Sequence, residues 1–104
     1  MAQFDLYRNP NSDSNAFIPY LLDVQADLLN VLATRVVIPL YTSDAIPKPI
    51  LHLNPVLEVN GERFVLSAAE LAGVSTSALG ESITNLQSFR DEIIAALDFV
   101  FTGT

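Results

Sequence analysis

His52 is the single histidine and the first residue to weigh for chemistry. A catalytic imidazole needs an orienting acid and a nucleophile within hydrogen-bond reach. No motif around His52 supplies either, so it reads as a strand-edge residue. Asp23 and Asp27 would share a face of a strand and lie near each other on a helix. Two carboxylates can hold a hard cation, but nothing else clusters with them, and they read as solvated acids. Ser75-Thr76-Ser77 lacks the flanking glycines of a nucleophile elbow. The glycines at 61, 73, 80 and 103 form no phosphate loop. There is no cysteine, which excludes disulfides, thiolate catalysis and thiolate metal sites. The residues point to no enzyme, no metal and no cofactor.

What remains is a surface. Between Gln87 and Thr104, Phe89, Ile93, Ala96, Leu97, Val100 and Phe101 recur at steps of three and four and predict one apolar stripe of a helix. Asp91, Ala95, Asp98 and Thr102 recur at the same steps on a second face. That face, with the end Phe101-Thr102-Gly103-Thr104, is the candidate contact surface; its bland alternative is the solvated back of an amphipathic helix. Ser88 and Asp91 have a capping spacing, and Asp91 and Glu92 suit the positive end of the helix dipole.

The remaining elements must hold that helix. Gln3 to Arg8 alternates, with Phe4 and Leu6 on one face and Gln3, Asp5 and Tyr7 on the other, as a half-buried strand does. The polar run from Asn9 to Asn15 is a turn and a candidate mobile loop. Phe17 to Ala26 reads as a second strand, with Tyr20, Leu22 and Val24 on one face and Asp23 and Gln25 on the other. Asp27 to Thr34 fits a helical turn or a loop; Leu28 and Leu29, side by side, cannot both point inward if extended. Arg35 to Leu40 holds the β-branched run Val36-Val37-Ile38 of a strand covered on both sides. Pro39 predicts a bulge or an end there. The proline-rich stretch 42–49 is an irregular connection. Asn60-Gly61 between two strand patterns is a hairpin signal, because a type I′ turn needs φ > 0 at both positions. A further short strand fits within 67–74, followed by a turn over 75–80. The expected class is mainly β, several short antiparallel strands with one C-terminal α-helix, in a single domain over 1–104.

Composition narrows the partners. Half of the 104 residues are hydrophobic and 16% are charged, so some apolar surface is expected to await a dimer partner or another protein. The net charge is −7, and Arg8, Arg35, Lys48, Arg63 and Arg90 are scattered. With no basic run, direct nucleic-acid binding is not expected, whereas a basic surface or peptide suits the charge. Neither a signal peptide nor a membrane span is visible, which predicts a cytoplasmic protein.

Three stretches together resemble the CcdB family of toxins from type II toxin–antitoxin modules. They are Gln3-Phe4 with Tyr7, then Asp23-Val24-Gln25-Ala26-Asp27-Leu28-Leu29 with Arg35-Val36-Val37-Ile38-Pro39-Leu40, and the last helix with Phe101-Thr102-Gly103-Thr104. The resemblance covers nearly the whole chain. It implies an SH3-like barrel and a homodimer. It also implies that the protein binds the A subunit of DNA gyrase and traps the gyrase–cleaved DNA complex, by contact rather than catalysis. A CcdA-like antitoxin would neutralise it. The family's gyrase contacts map onto Ala95, Asp98, Phe101, Thr102, Gly103 and Thr104, with a second group at Ala26, Leu28 and Leu29. Antitoxin contacts map near Tyr7, Arg8, Tyr41 and Asp44. No membrane, metal or cofactor is implied.

Four positions depart from the family pattern. Thr102 and Thr104 stand where the best-known member has Trp and Ile, Asp98 replaces an amide, and Ser75 replaces a proline. An aromatic anchor supplies several kcal/mol at an interface, so Thr102 favours a weaker poison. The alternatives are a degenerate, non-toxic protein that still binds antitoxin, and an endoribonuclease like the MazF and Kid toxins that share this fold. Scarce Arg and His oppose the latter.

Overall fold

Asn60 and Gly61 turn the chain with φ of 51° and 84°, as the type I′ pattern predicts. They join β4 (Val56–Val59) to β5 (Glu62–Leu66) in register, with Leu57 opposite Phe64. The computed structural model describes residues 1–103 of the protein. Its other strands are β1 (Asp5–Arg8), β2 (Tyr20–Asp23), β3 (Thr34–Thr42), β6 (Ala72–Ser75) and β7 (Ser82–Asn85). They form one antiparallel sheet ordered β4-β5-β3-β2-β1-β7, with β6 also paired to β3. A single α-helix, α1 (Arg90–Thr102), follows. The class is mainly β with one helix after the strands, as the patterning predicts.

β3 is the axis of the sheet. It pairs with β2 along one edge and with β5 and then β6 along the other. Pro39 was expected to bulge or end this strand, yet the strand runs through it. The reason is local: β5 pairs with Leu40–Thr42 and β6 with Thr34–Val37, so Pro39 falls at the changeover, where a missing donor breaks no ladder. Its carbonyl still accepts from the Ser67 amide at 3.1 Å.

One face of the sheet carries the core. Leu6, Leu22, Ile38, Leu40, Leu57 and Leu66 are fully buried, and α1 lays Ile93 and Ala96 against that cluster, with Phe89, Leu97 and Val100 at its margin. Phe101, expected in the same stripe, is instead 72% exposed. The other face is unexpectedly polar and also buried. Asp23 is 0% exposed and Arg35 1%, and Tyr7 and Gln25 lie there too. Asp23 is therefore not the solvated acid that its isolation in the sequence suggested.

Strand ends are shorter than the alternation implied. Phe4 sits at φ 71°, outside the extended region, so β1 starts at Asp5 rather than Gln3. β2 spans four residues instead of ten; Phe17 to Pro19 belong to the preceding turn. That turn, a candidate mobile loop by composition, is pinned by Asn9, whose Nδ2 donates to the Ser14 hydroxyl at 3.0 Å and the Ile18 carbonyl at 2.9 Å. β7 was not foreseen: Ser-Ile-Thr-Asn carries a single apolar residue, and only pairing with β1 makes it a strand.

The helix ends differ in kind. A 3₁₀ turn, Gln87–Phe89, leads into α1, and Ser88 makes no cap; Asn85 Oδ1 accepts from the Gln87 amide at 2.8 Å instead. Gly103 ends α1 in the left-handed conformation, φ 73°, with its amide donating to the Phe99 carbonyl at 2.9 Å. That position favours glycine. No described helix is long and apolar enough to cross a membrane.

Candidate contact surface

Three exposed patches stand out. The first is the connection from β2 to β3. A 3₁₀ turn, Asp27–Leu29, lifts the chain off the sheet edge, and the segment buries none of its apolar side chains well. Leu28 is 93% exposed and Val31 91%, with Leu29 and Leu32 half in water. Ala26 is exposed beside them. So neither of the adjacent leucines turns inward. Apolar side chains left exposed together along a short segment make it a candidate docking surface.

The second patch is the outer end of α1. Ala95, Asp98 and Thr102 are exposed, as the second helical face predicts, and Phe101 and Gly103 are exposed beside them. The Thr102 hydroxyl donates to the Asp98 carbonyl at 2.7 Å, which fixes its rotamer in the last turn. Phe101 exposes its aromatic ring three positions after Asp98, on neighbouring ground of the helix surface. The combination of an apolar ring with an acid suits a partner that is apolar and basic. Thr104 lies outside the described residues. The helix packs chiefly on the 68–70 turn below it, so patches one and two are held by separate elements.

The third patch was missed in the sequence. The 49–56 segment runs beside α1 and encloses a groove of about 470 Å³ against Glu92 and Ala95, with Pro49, Ile50 and Val56 on the opposite wall. A second hollow continues it through His52 and Ala95 to Phe99 and Gly103. His52 is not a strand-edge residue. It sits in a turn at φ 69°, with its ring centroid 6.2 Å from that of Phe99. The available signal was Ile50-Leu51, an apolar pair outside any strand or helix period. Ile50 is 57% and Leu51 78% exposed.

The residues mapped to an antitoxin fall at one end of the sheet. Arg8 pairs with Tyr20 across β1 and β2, and Tyr20 pairs with Leu40 across β2 and β3, next to Tyr41. Arg8 is exposed, with Nε 3.5 Å from a Glu81 carboxylate oxygen. The Tyr41 hydroxyl donates to Glu70 at 2.9 Å, and its ring stacks on Phe17. Burial and the Glu70 carboxylate push its pKa up to about 12. Asp44 is exposed in the turn after β3. Tyr7 differs: it is buried, and its hydroxyl donates to Asp5 at 3.3 Å. Burial and the Asp5 charge raise its pKa to about 12 as well. It leaves almost nothing for a partner to touch.

His52 has an aromatic neighbour rather than a nucleophile. Among the described residues no three of His, Asp and Glu are grouped to hold a metal ion.

A family model described as CcdB protein matches residues 3–103. Two solved structures share the fold. One is an endoribonuclease in complex with its cognate antitoxin from a mycobacterial species, with TM-score 0.78 and 15% identity, covering 97% of this chain and 94% of that one. The other is an endoribonuclease from a mycobacterial species, with TM-score 0.76 and 15% identity over 97% of this chain and 90% of that one. At that identity the likeness is one of fold alone.

Proposed function

The chain belongs to the CcdB family, and from that premise we propose that it is a toxin that binds the A subunit of DNA gyrase and traps the cleaved-DNA complex. The observation that carries this reading is the outer end of α1, where Phe101 stands 72% exposed beside Asp98 and the Gly103 cap. These are the positions that the family's target contacts map onto, with Leu28 and Leu29 as the second contact group. The action is by contact rather than catalysis. No cofactor takes part. The protein works as a cytoplasmic homodimer, one domain per chain, and a CcdA-like antitoxin docks near Arg8, Tyr41 and Asp44 to neutralise it. An antitoxin segment rich in basic and apolar residues complements the net charge of −7.

Purified protein added to gyrase with supercoiled plasmid tests this reading. The expected result is linear DNA after denaturation of the trapped complex; no linear DNA at micromolar protein would sink it. Growth arrest that spares cells with an altered gyrase A subunit would agree in vivo, whereas harmless expression with retained antitoxin binding would instead mark a degenerate copy.

A second reading, RNA cleavage, draws on the fold shared with the two endoribonucleases. The charges oppose it. Arg35 is 1% exposed and engaged with Asp23, and Arg8 lies beside Glu81, so few cations are placed to hold a phosphate backbone. Cutting of a long RNA that disappears in Arg8→Ala would favour this second reading.

A further inference from the structure

Four apolar side chains lie in water on the segment joining β2 to β3, and a short segment of this kind would be expected to fold them back onto the protein. The sheet beneath it holds a polar network that bonds to this segment. Arg35 Nε donates to Asp23 Oδ2 at 2.7 Å, and Arg35 Nη1 donates to Asn30 Oδ1 at 2.8 Å. Asp23 Oδ1 accepts from the Gln25 amide at 3.0 Å. Gln25 in turn accepts from the Val36 amide at 3.0 Å and donates through Nε2 to the Leu29 carbonyl at 2.9 Å. Both ends of the segment are thereby tied to its middle, at Leu29 and Asn30.

This construction is a poor way to stabilise a fold. A fully buried ion pair loses its hydration and is often matched or bettered by apolar side chains of the same volume. Here the guanidinium also carries a buried Nη2 with no partner among the described residues. A buried donor left unsatisfied is a net cost. Simple pairing with Asp23 does not explain the choice of residue either, since a lysine would provide a point charge. Only the planar fork of arginine reaches Asp23 and Asn30 in fixed directions.

We propose that Arg35 and Asn30 are positioning residues for the apolar surface at Leu28, Leu29, Val31 and Leu32: the guanidinium, fixed by Asp23, holds the segment in the shape that presents these side chains to a macromolecular partner. The benefit is paid-in-advance order. Fixing the backbone of one residue during binding would weaken affinity by about 5- to 30-fold, and the clamp removes that step. The proposal rests on the reading that this surface meets gyrase, and its test separates the two.

Asn30→Ala removes the outer half of the clamp at an exposed residue and leaves the buried pair intact. The expected result is faster amide hydrogen exchange over residues 28–33, unchanged exchange in α1, and an about tenfold weaker affinity for the gyrase A subunit. Asn30→Asp restores an acceptor for Arg35 and is expected to return both properties to within about twofold of the parent. Leu28→Ala serves as the contrast, with weaker binding and unchanged exchange. Unchanged exchange in Asn30→Ala, or faster exchange with undiminished affinity, overturns the proposal. If the parent protein does not bind gyrase A, the target reading fails by itself, and exchange over 28–33 still decides whether the clamp exists.

Discussion

Replacing Phe101 by alanine separates the fold from the target contact. Fully burying a phenylalanine side chain contributes about 1.5–3 kcal/mol. With 72% of Phe101 in water, the share it gives the fold is roughly 0.4–0.8 kcal/mol on the same scale. That should lower the melting temperature by only about 2–6 °C. A partner that covers the ring gains the remainder, roughly 1.1–2.2 kcal/mol. Losing it weakens binding by about 6- to 40-fold. Circular dichroism reads the first quantity, and calorimetric titration with purified gyrase A subunit reads the second. Ile93→Ala is the control: Ile93 is 0% exposed in the core, and its truncation should cost the fold about 2–5 kcal/mol. The reasoning is refuted if Phe101→Ala binds gyrase A as tightly as the parent, or if it melts as early as Ile93→Ala.

Gly80 leaves no room for a side chain, since a Cβ there would stand 2.8 Å from the Arg8 carbonyl oxygen. Gly80→Ala should destabilise by about 1–3 kcal/mol, and an unshifted urea midpoint would show that the β1 end yields more easily than this. Arg35→Met strands the Asp23 carboxylate in the interior and should cost about 3–5 kcal/mol. Adding Asp23→Leu should recover most of that loss, and a double variant no more stable than the single would contradict the charge argument. At alkaline pH, Tyr7 and Tyr41 have pKa values raised from 10.0 to about 12 in the folded protein. The unfolded chain therefore gives up these protons first. The stability from the two hydroxyls is complete below pH 10 and is lost as pH rises through the folded values. Phenolate absorbance of the native protein should accordingly lag that of the chain in denaturant, and coincident titrations would count against the two burial sites.

What the sequence made legible was what depends on neighbours in the chain. The Asn60-Gly61 hairpin, the central β-branched run and the face bearing Asp91, Ala95 and Asp98 are local patterns, and each is found where its spacing put it. The candidate surface was legible only in part. Adjacency required only that one of Leu28 and Leu29 point outward in an extended chain, whereas both do on a 3₁₀ turn; period put Ala95, Asp98 and Thr102 on the exposed face but assigned Phe101 to the buried stripe. The groove wall at Ile50 and Leu51 was not legible, because nothing in the chain says that 49–56 lies beside a helix some forty residues later. β7 and the φ of Phe4 are likewise set by their neighbours in space. Phe4 gives its amide to the Asp23 carbonyl at 2.6 Å and takes the Leu86 amide at 2.8 Å.

The misreading of Asp23 has the widest consequence. In the sequence it is one acid of a sparse pair; in the fold its carboxylate takes Arg35 twelve positions on. Arg35 was counted among scattered cations for the same reason. Once paired, both leave the surface, and the exposed charge of the molecule rests on its remaining acids and four remaining basic residues. The surface left behind carries one acid, Asp98, near the end of α1 and is apolar at 28–32. A nucleic acid would meet repulsion at the first and no hydrogen-bond readout at the second. A protein with a basic rim and an apolar centre meets a complement at both. The buried pair cancels its own charge and leaves the exposed balance as it was, so its bearing on a partner runs through the apolar segment that it holds.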